Sequence, residues 1–377
     1  MHFLTVTHFF EGHGGGIERV AGHLCRNLAA AGRRAEWAAS AADPAPVDGA
    51  IAALPIKCFN PTERLTGLPM PIPGPRGFAA LARAVDRADA VIIHDALYVT
   101  SIAALVLARM KRKPVVLIQH IASIEFSSPV MRAVMRLANF VVTRPMLRSA
   151  SQVVFISATV RAAFADLQFR EPPQLVFNGV DTATFKPESS ISTGAARDHF
   201  NLPSSGKLIA FAGRFVEKKG LAVLQAVCRE HPDINFALAG SGPINPAAWK
   251  LPNVHLLGNL SPQELAQLYR ASDYLLLPSV GEGYPLVIQE ALACGLPVIC
   301  GDESARADPA ATRWLRGVAI DLADPETTAR AVAAQILCDA PSPETKAEMA
   351  HYAAKAYSWP AMAQSIAGFA STLSGAR

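Results

Sequence analysis

Apolar positions along the chain fall into short continuous runs separated by longer stretches with helical spacing. Phe3 to Phe10, Ala90 to Ile93, Pro114 to Gln119 and Gln152 to Ile156 are rich in Val, Ile, Leu and Phe and lack a regular polar alternate position. Such runs predict parallel strands covered on both faces. Gly16 to Ala31 sets Ile17, Val20, Leu24 and Leu28 on one helical face, stops at Gly32, and follows Gly12-His13-Gly14-Gly15-Gly16. A strand, a glycine-rich turn and a helix in that order make a βα unit whose helix start can face a phosphate.

The alternation stops in a Ser-, Gly- and Pro-rich stretch from Pro187 to Ser205 and then restarts. Lys207 to Ala212, Asn235 to Ala239, Val254 to Leu257, Tyr274 to Leu277 and Val298 to Cys300 read as a second series of strands. Two series predict an α/β protein of two Rossmann-like domains, residues 1–187 and 188–377. Asn60 to Gly77 carries Pro61, Pro69, Pro71, Pro73 and Pro75 and is expected to be an exposed loop, either a plain surface excursion or a contact for a ligand.

Composition supports this division. A chain of 377 residues suits two cores, and 51% hydrophobic with 18% charged residues suits wide covered sheets. The six cysteines are scattered without CxxC pairs, which indicates neither a zinc site nor a disulfide framework and fits a reducing cytosol. Met1 to Phe10 lacks a basic leader and reads as a first strand, and no apolar run reaches the roughly 20 residues a bilayer span needs. Residues 1–187 hold 20 Lys and Arg against 13 Asp and Glu, whereas the remainder holds 15 against 18. This modest basic excess has neither the dense stripe nor the motif of a nucleic-acid reader, and fits an anionic substrate or lipid surface.

Chemistry concentrates at strand ends. Ala212-Gly213-Arg214-Phe215-Val216-Glu217-Lys218-Lys219-Gly220 closes the first strand of the second series, and the carboxyl edge of an open α/β sheet is where ligands bind. Arg214 and Lys219 there can hold a diphosphate; the alternative is a solvated turn. Further on, Glu282-Gly283-Tyr284-Pro285-Leu286-Val287 leads into a helix that contains Glu290. A carboxylate inside an apolar helix must find donors, and sugar hydroxyls supply them: Glu290 a ribose diol, Glu282 the hexose, with amides from Tyr284 to Val287 at the phosphates. The alternative is a structural Glu capping nearby backbone. His120 ends the run Val115 to Gln119 at the corresponding edge of the first domain, and His94 and Asp95 end the preceding one. A strand-end His is often purely structural.

Glu282 and Glu290 reproduce an E-x7-E motif within a setting similar to EGFPLVxLEALACGxPV, and here the chain resembles the retaining family 4 glycosyltransferases of the GT-B fold. Gly15-Gly16-Ile17-Glu18-Arg19, Phe177-Asn178-Gly179-Val180-Asp181, Leu257-Gly258 through Ser279, and Tyr357-Ser358-Trp359 resemble further family segments, so the likeness runs along nearly the whole chain. The resemblance implies two domains facing a cleft, with the last helix returning to the first domain. It implies a nucleoside-diphosphate sugar as donor, bound by Gly15, Gly16, Arg214, Lys219, Glu282, Gly283, Tyr284, Pro285, Leu286, Val287 and Glu290. His120, Arg214, Lys219 and Glu282 would serve catalysis.

Retention without a protein nucleophile is implied as well, and no carboxylate pair of the hydrolase kind stands out. Without a D-x-D motif, a metal-independent reaction with no cofactor is expected. The acceptor is expected to be a glycan or lipid-linked glycan in surface polysaccharide synthesis, met in the cytoplasm or at the inner membrane face. Alternatives are a GT-B epimerase or hydrolase of sugar nucleotides, or a non-catalytic binding protein. Two departures stand out: Tyr284-Pro285 replaces a commoner Phe-Gly and loses one backbone N–H, and Gly301-Asp302-Glu303-Ser304-Ala305-Arg306 replaces a Gly-Gly loop. Met131 to Ser149 mixes Arg132, Arg136, Arg144 and Arg148 with apolar residues. It reads as ordinary helices with Arg stems over apolar surface, interrupted at Pro145, or as an interfacial helix on anionic lipid.

Overall fold

The computed structural model describes residues 1–61, 70–122, 129–187, 193–338 and 342–375. The chain folds into two units: Met1–Gly179 with Trp359–Arg377, and Val180–Ser358. The division therefore falls before the Ser- and Pro-rich stretch, not at 187/188, and the chain crosses between units twice. At 179/180 and 358/359 the crossing strands lie together: Val180 pairs with Ser358 in a parallel bridge, and the Val180 N–H donates to the Tyr357 carbonyl at 2.9 Å. Gly179 has no room for a side chain, because a Cβ there would stand 2.4 Å from Trp359.

The first unit is built on a sheet in the order β3-β2-β1-β6-β7-β8-β9, all parallel. Its strands are β1 (His2–Val6), β2 (Arg34–Ser40), β3 (Ile51–Ile56), β6 (Ala90–His94), β7 (Val115–Gln119), β8 (Gln152–Phe155) and β9 (Gln174–Leu175). A two-residue pair, β4 (Cys58–Phe59) and β5 (Ile72–Pro73), stands apart from it and is antiparallel. Helices α1 (Gly16–Ala30), α2 (Pro75–Arg87) and α3 (Val99–Met110) connect the strands, and α11 (Trp359–Gly375) returns to pack on α1, where Trp359 stacks on His23 at 4.6 Å. The core lies under β1, β6, β7 and β8, where Val6, Val91, Ile93, Leu117 and Phe155 are wholly buried.

Three expectations change here. Strand β1 ends at Val6, four residues earlier than the apolar run suggested, because the chain turns away through His8 toward α1. Residues 62–69 of the proline-rich stretch lie outside the described residues, and its end is regular: Pro75 opens α2, a position that needs no N–H and suits a fixed φ. Pro145 does not interrupt its helix. Helix α4 (Pro129–Ala138) runs through a π-helical turn, Asn139–Thr143, into α5 (Arg144–Ser149), with Pro145 in the first turn of α5.

The second unit has six parallel strands in the order β12-β11-β10-β13-β14-β15: β10 (Leu208–Ala212), β11 (Asn235–Ala239), β12 (Val254–Gly258), β13 (Tyr274–Leu277), β14 (Val298–Gly301) and β15 (Leu315–Val318). Helices α6 (Leu221–Glu230), α7 (Pro262–Ala271), α8 (Leu286–Ala293), α9 (Pro325–Leu337) and α10 (Pro343–Ala356) cover it. Both sheets reverse direction of growth beside their first strand, between β1 and β6 and between β10 and β13. Loops at the carboxyl ends of strands diverge at such a point and leave a crevice, so it is where each Rossmann-like unit can take a ligand.

Candidate active site

In the second unit the two loops at the switch point lock together. After β10 the chain makes a short 3-10 turn, Glu217–Lys219, and enters α6 through Gly220, whose φ of 72° is left-handed. After β13 it runs from Pro278 to Pro285 and opens α8. The Val280 N–H donates to the Lys218 carbonyl at 3.0 Å, and a Cβ on Gly220 would stand 2.0 Å from the Pro278 carbonyl oxygen. Glycine is required where two backbones approach this closely.

This docking joins residues far apart in sequence. Lys219 Nζ reaches Glu282 Oε1 at 2.7 Å and Oε2 at 2.8 Å, and both side chains are largely buried. Ser279 Oγ adds a bond to Oε2 at 3.4 Å, and Lys218 Nζ lies 3.9 Å from Oε1. Partial burial lowers the Lys218 pKa; Glu282 opposes that, and the charges of Lys219 and Arg214 add to it. Arg214, exposed on the same connection, thus belongs to one cationic group with Lys218 and Lys219. An ammonium carries three N–H donors, two of them aimed at Glu282, so Lys219 can still donate to an anion beside it.

Gly283 and Tyr284 are buried, Pro285 occupies the N-cap position, and Leu286 and Val287 begin α8 half-buried. Proline supplies no N–H, so the free donors that this helix start can offer an anion are the amides after it. Glu290 is buried on the second turn of α8. The loop that departs from the family pattern forms a four-residue helical turn, Asp302–Ala305.

The first unit carries its own polar group at the switch point. Gly15 caps α1, and Glu18 folds back over it, so that a Cβ on Gly15 would meet Glu18 Oε2 at 2.0 Å. Glu18 Oε1 is 2.8 Å from His8 Nε2, and the His8 ring stacks on Tyr98 at 3.7 Å. Burial works against the Glu18 charge, but the bond from His8 and its charge outweigh that and hold the carboxyl below its usual pKa. A ligand phosphate approaching Gly15 therefore meets a carboxylate; at Gly16 nothing stands within 4 Å of an added Cβ.

At the ends of β6 and β7, His94 Nδ1 and His120 Nε2 share a hydrogen bond of 2.9 Å. Burial pushes His120 down to about 3, against the pull of the Glu18 charge and with help from His8, and keeps its ring neutral. Its Nε2 is engaged by His94, so any further hydrogen bond of the ring is made through Nδ1. Asp95, at a left-handed φ of 58°, accepts the His120 N–H through Oδ1 at 2.9 Å, while burial pushes its carboxyl up to about 7. Asp95, Tyr98, Gln119, Met135, Asn139 and Thr143 line a small cavity of about 20 Å³.

The sequence reading missed Glu18, His8 and Tyr98. Only the position of Glu18, two residues into α1, could have singled it out. Among the described residues no cluster of three or more metal-ligating side chains occurs.

Comparison with known proteins identifies the family and the fold. Residues 193–356 match the family "Glycosyl transferases group 1" and residues 14–184 match "Glycosyltransferase Family 4". The chain belongs to the family 4 glycosyltransferases. Every candidate residue above except His8 lies within one or other match; β1 and His8 precede the first of them.

A D-inositol 3-phosphate glycosyltransferase of Mycolicibacterium vanbaalenii is 33% identical over 207 residues, 49% of this chain and 44% of the relative. One from Corynebacterium kroppenstedtii is 32% identical over 186 residues, 44% of this chain and 40% of the relative. The matched part thus spans less than half the length of these curated relatives. Among solved structures, sucrose-phosphate synthase from Thermosynechococcus elongatus superposes with a TM-score of 0.74 at 19% identity, covering 100% of both chains. Anabaena HepE in complex with UDP and glucose gives 0.68 at 18% identity, covering 99% of this chain and 100% of that one. These neighbours establish that the family 4 member has the GT-B fold, two Rossmann-like domains with parallel sheets.

Proposed function

We propose that this family 4 glycosyltransferase moves a hexose from a nucleoside-diphosphate sugar to a glycan or lipid-linked glycan, with retention and without a metal. The contact of Lys219 with Glu282 at the switch point of the second sheet carries this reading. It sets a cation for a leaving diphosphate and an acceptor of hydroxyl hydrogen bonds a few ångströms apart, beside the start of α8. In the reaction the acceptor oxygen attacks the anomeric carbon from the side on which the carbon–oxygen bond to phosphate breaks, and a departing phosphate oxygen takes the acceptor proton. Lys219 and Arg214 offset the charge that develops on the diphosphate, Glu282 orients the hexose, Glu290 takes the ribose diol, and neutral His120 donates to or accepts from a sugar hydroxyl.

Uridine nucleotides are the first donors to test, since HepE is described with UDP and with UDP-glucose. The relatives' name adds a phosphorylated polyol as a candidate acceptor beside surface polysaccharide precursors. A thermal-shift series with UDP-, GDP- and ADP-sugars tests the donor: a cognate donor at a hundred times its Kd raises stability by about 2.7 kcal/mol. No shift with any of the three, together with no donor-dependent product, sinks the proposal.

A lipid-borne acceptor is favoured by the outer face of α4 and the π-helical turn. Val130, Val134, Leu137, Phe140 and Val141 recur at helical spacing and are each 50% to 70% exposed. Arg132, Arg136 and Arg148 are exposed on the same segment, so an anionic bilayer complements both the apolar stripe and the charge. The inner side of that segment contributes Met135, Asn139 and Thr143 to the cavity beside Asp95. Among the described residues no helix is long and apolar enough to cross a membrane, so contact would be peripheral. Flotation with phosphatidylglycerol vesicles should carry the protein upward, and V134E with L137E should abolish this. Equal flotation of that variant removes the membrane from the reading.

A further inference from the structure

The Glu282 loop is held at both ends, and only the Lys219 end belongs to the chemistry described so far. At the other end Tyr284, 2% exposed, turns into the unit, with its hydroxyl 2.8 Å from the Tyr357 hydroxyl. Tyr357 donates to Asp308 Oδ2 at 2.7 Å, and Tyr352 donates to the same oxygen at 2.7 Å. Asp308 Oδ1 accepts the Ala310 N–H at 3.0 Å, so the carboxylate is fixed to its own turn.

A phenol has one proton. Tyr357 gives its proton to Asp308 and must therefore accept from Tyr284, which sets the direction of the relay: Tyr284 to Tyr357 to Asp308. Tyr357 is itself tethered, because its carbonyl accepts the Val180 N–H and the next residue, Ser358, bridges Val180 where the chain crosses out of the unit. The rings meet edge to face at 71° for Tyr284 with Tyr357 and 89° for Tyr352 with Tyr357, so the cluster is packed as well as bonded.

We propose that Tyr284, Tyr357 and Asp308 are positioning residues for the donor: the relay sets how deep the Tyr284 side chain sits and thereby where Glu282 and the first amides of α8 stand. An apolar ring at position 284 would still be buried, but burial is non-directional and does not select one depth. A charge-assisted relay ending on a fixed carboxylate does. Tyr284 also directly precedes Pro285, where the backbone has lost a donor, so accurate placement of the remaining amides matters more.

This inference rests on the donor reading above, and the test separates the two. Full-length protein is titrated calorimetrically with UDP, GDP and ADP, as wild type and as Y284F, Y357F, the double variant and Y352F. The nucleotide that binds wild type is expected to bind Y284F and Y357F about five- to tenfold more weakly, the equivalent of one hydrogen bond. The double variant is expected to be no weaker than either single one, because both break the same relay. Donor KM rises by the same factor while acceptor KM stays put. Y352F removes a bond to Asp308 without cutting the relay, so it loses thermal stability but binds like wild type. Wild-type affinity in Y284F and Y357F, or equal weakening in Y352F, overturns the positioning role alone. Absence of nucleotide binding by wild type overturns the donor reading and the relay's purpose with it.

Discussion

Lys219→Ala is expected to lower kcat by about two to three orders of magnitude, the range found when one preorganised group at a developing charge is removed. Most of the effect should appear in kcat, because the interaction strengthens as the diphosphate leaves, with a smaller rise in donor KM, since Lys219 also faces the diphosphate of the bound donor in the proposed site. Stability should fall much less. Glu282 would keep Ser279 and gain Lys218, 3.9 Å away, as its nearest cation, so its carboxylate is not abandoned in the interior. Lys219→Arg keeps the charge but replaces a compact ammonium by a planar fork, and should recover part of the rate. Steady-state kinetics with the cognate donor decide the matter: a kcat within threefold of wild type for Lys219→Ala would remove Lys219 from the reaction.

Gly220→Ala is expected to cost about 3 kcal/mol and to lower Tm by roughly 6–12 °C for a unit of this size. Two terms add. Alanine at a φ of 72° costs about 1–2 kcal/mol wherever it occurs, and here its Cβ would also stand 2.0 Å from the Pro278 carbonyl oxygen. Backbone cannot swing aside as a side-chain tip can, so the Pro278–Pro285 loop must withdraw. The Val280 to Lys218 bond and the Lys219–Glu282 contact go with it. Gly258→Ala isolates the first term, since Gly258 has a φ of 69° and nothing within 4 Å of an added Cβ. Differential scanning calorimetry of both variants should show the larger drop for Gly220→Ala, with nucleotide affinity lost only there. Equal transitions would mean that the close approach at Pro278 has no energetic weight.

Both predictions concern positions visible in sequence whose partners were not. The strands from Val115 to Gln119, Gln152 to Phe155, Leu208 to Ala212 and Tyr274 to Leu277 stood out because buried parallel strands are uninterrupted apolar runs. Strand β2, Arg34–Ser40, was missed: its Ala-rich composition has the local character of helix, and pairing with β1 and β3 overrides it. Pro145 was misread because a single proline breaks an α-helix in isolation, whereas a π-helical turn before it accommodates the missing donor.

The amino-acid sequence by itself determined the two series of βα units, the glycine-rich turns at their edges, and the acidic and basic side chains those turns carry. Each of these is written in a window of one turn or one strand, where spacing and backbone freedom act directly. Tertiary structure alone decided which groups meet. Lys219 closes on Glu282 across 63 positions, Tyr284 reaches Tyr357 across 73, His94 finds His120 across 26, and the chain re-enters its first unit at Trp359. Those encounters follow from strand order and from the close approach of separate backbones, which arise only when the whole sheet is assembled.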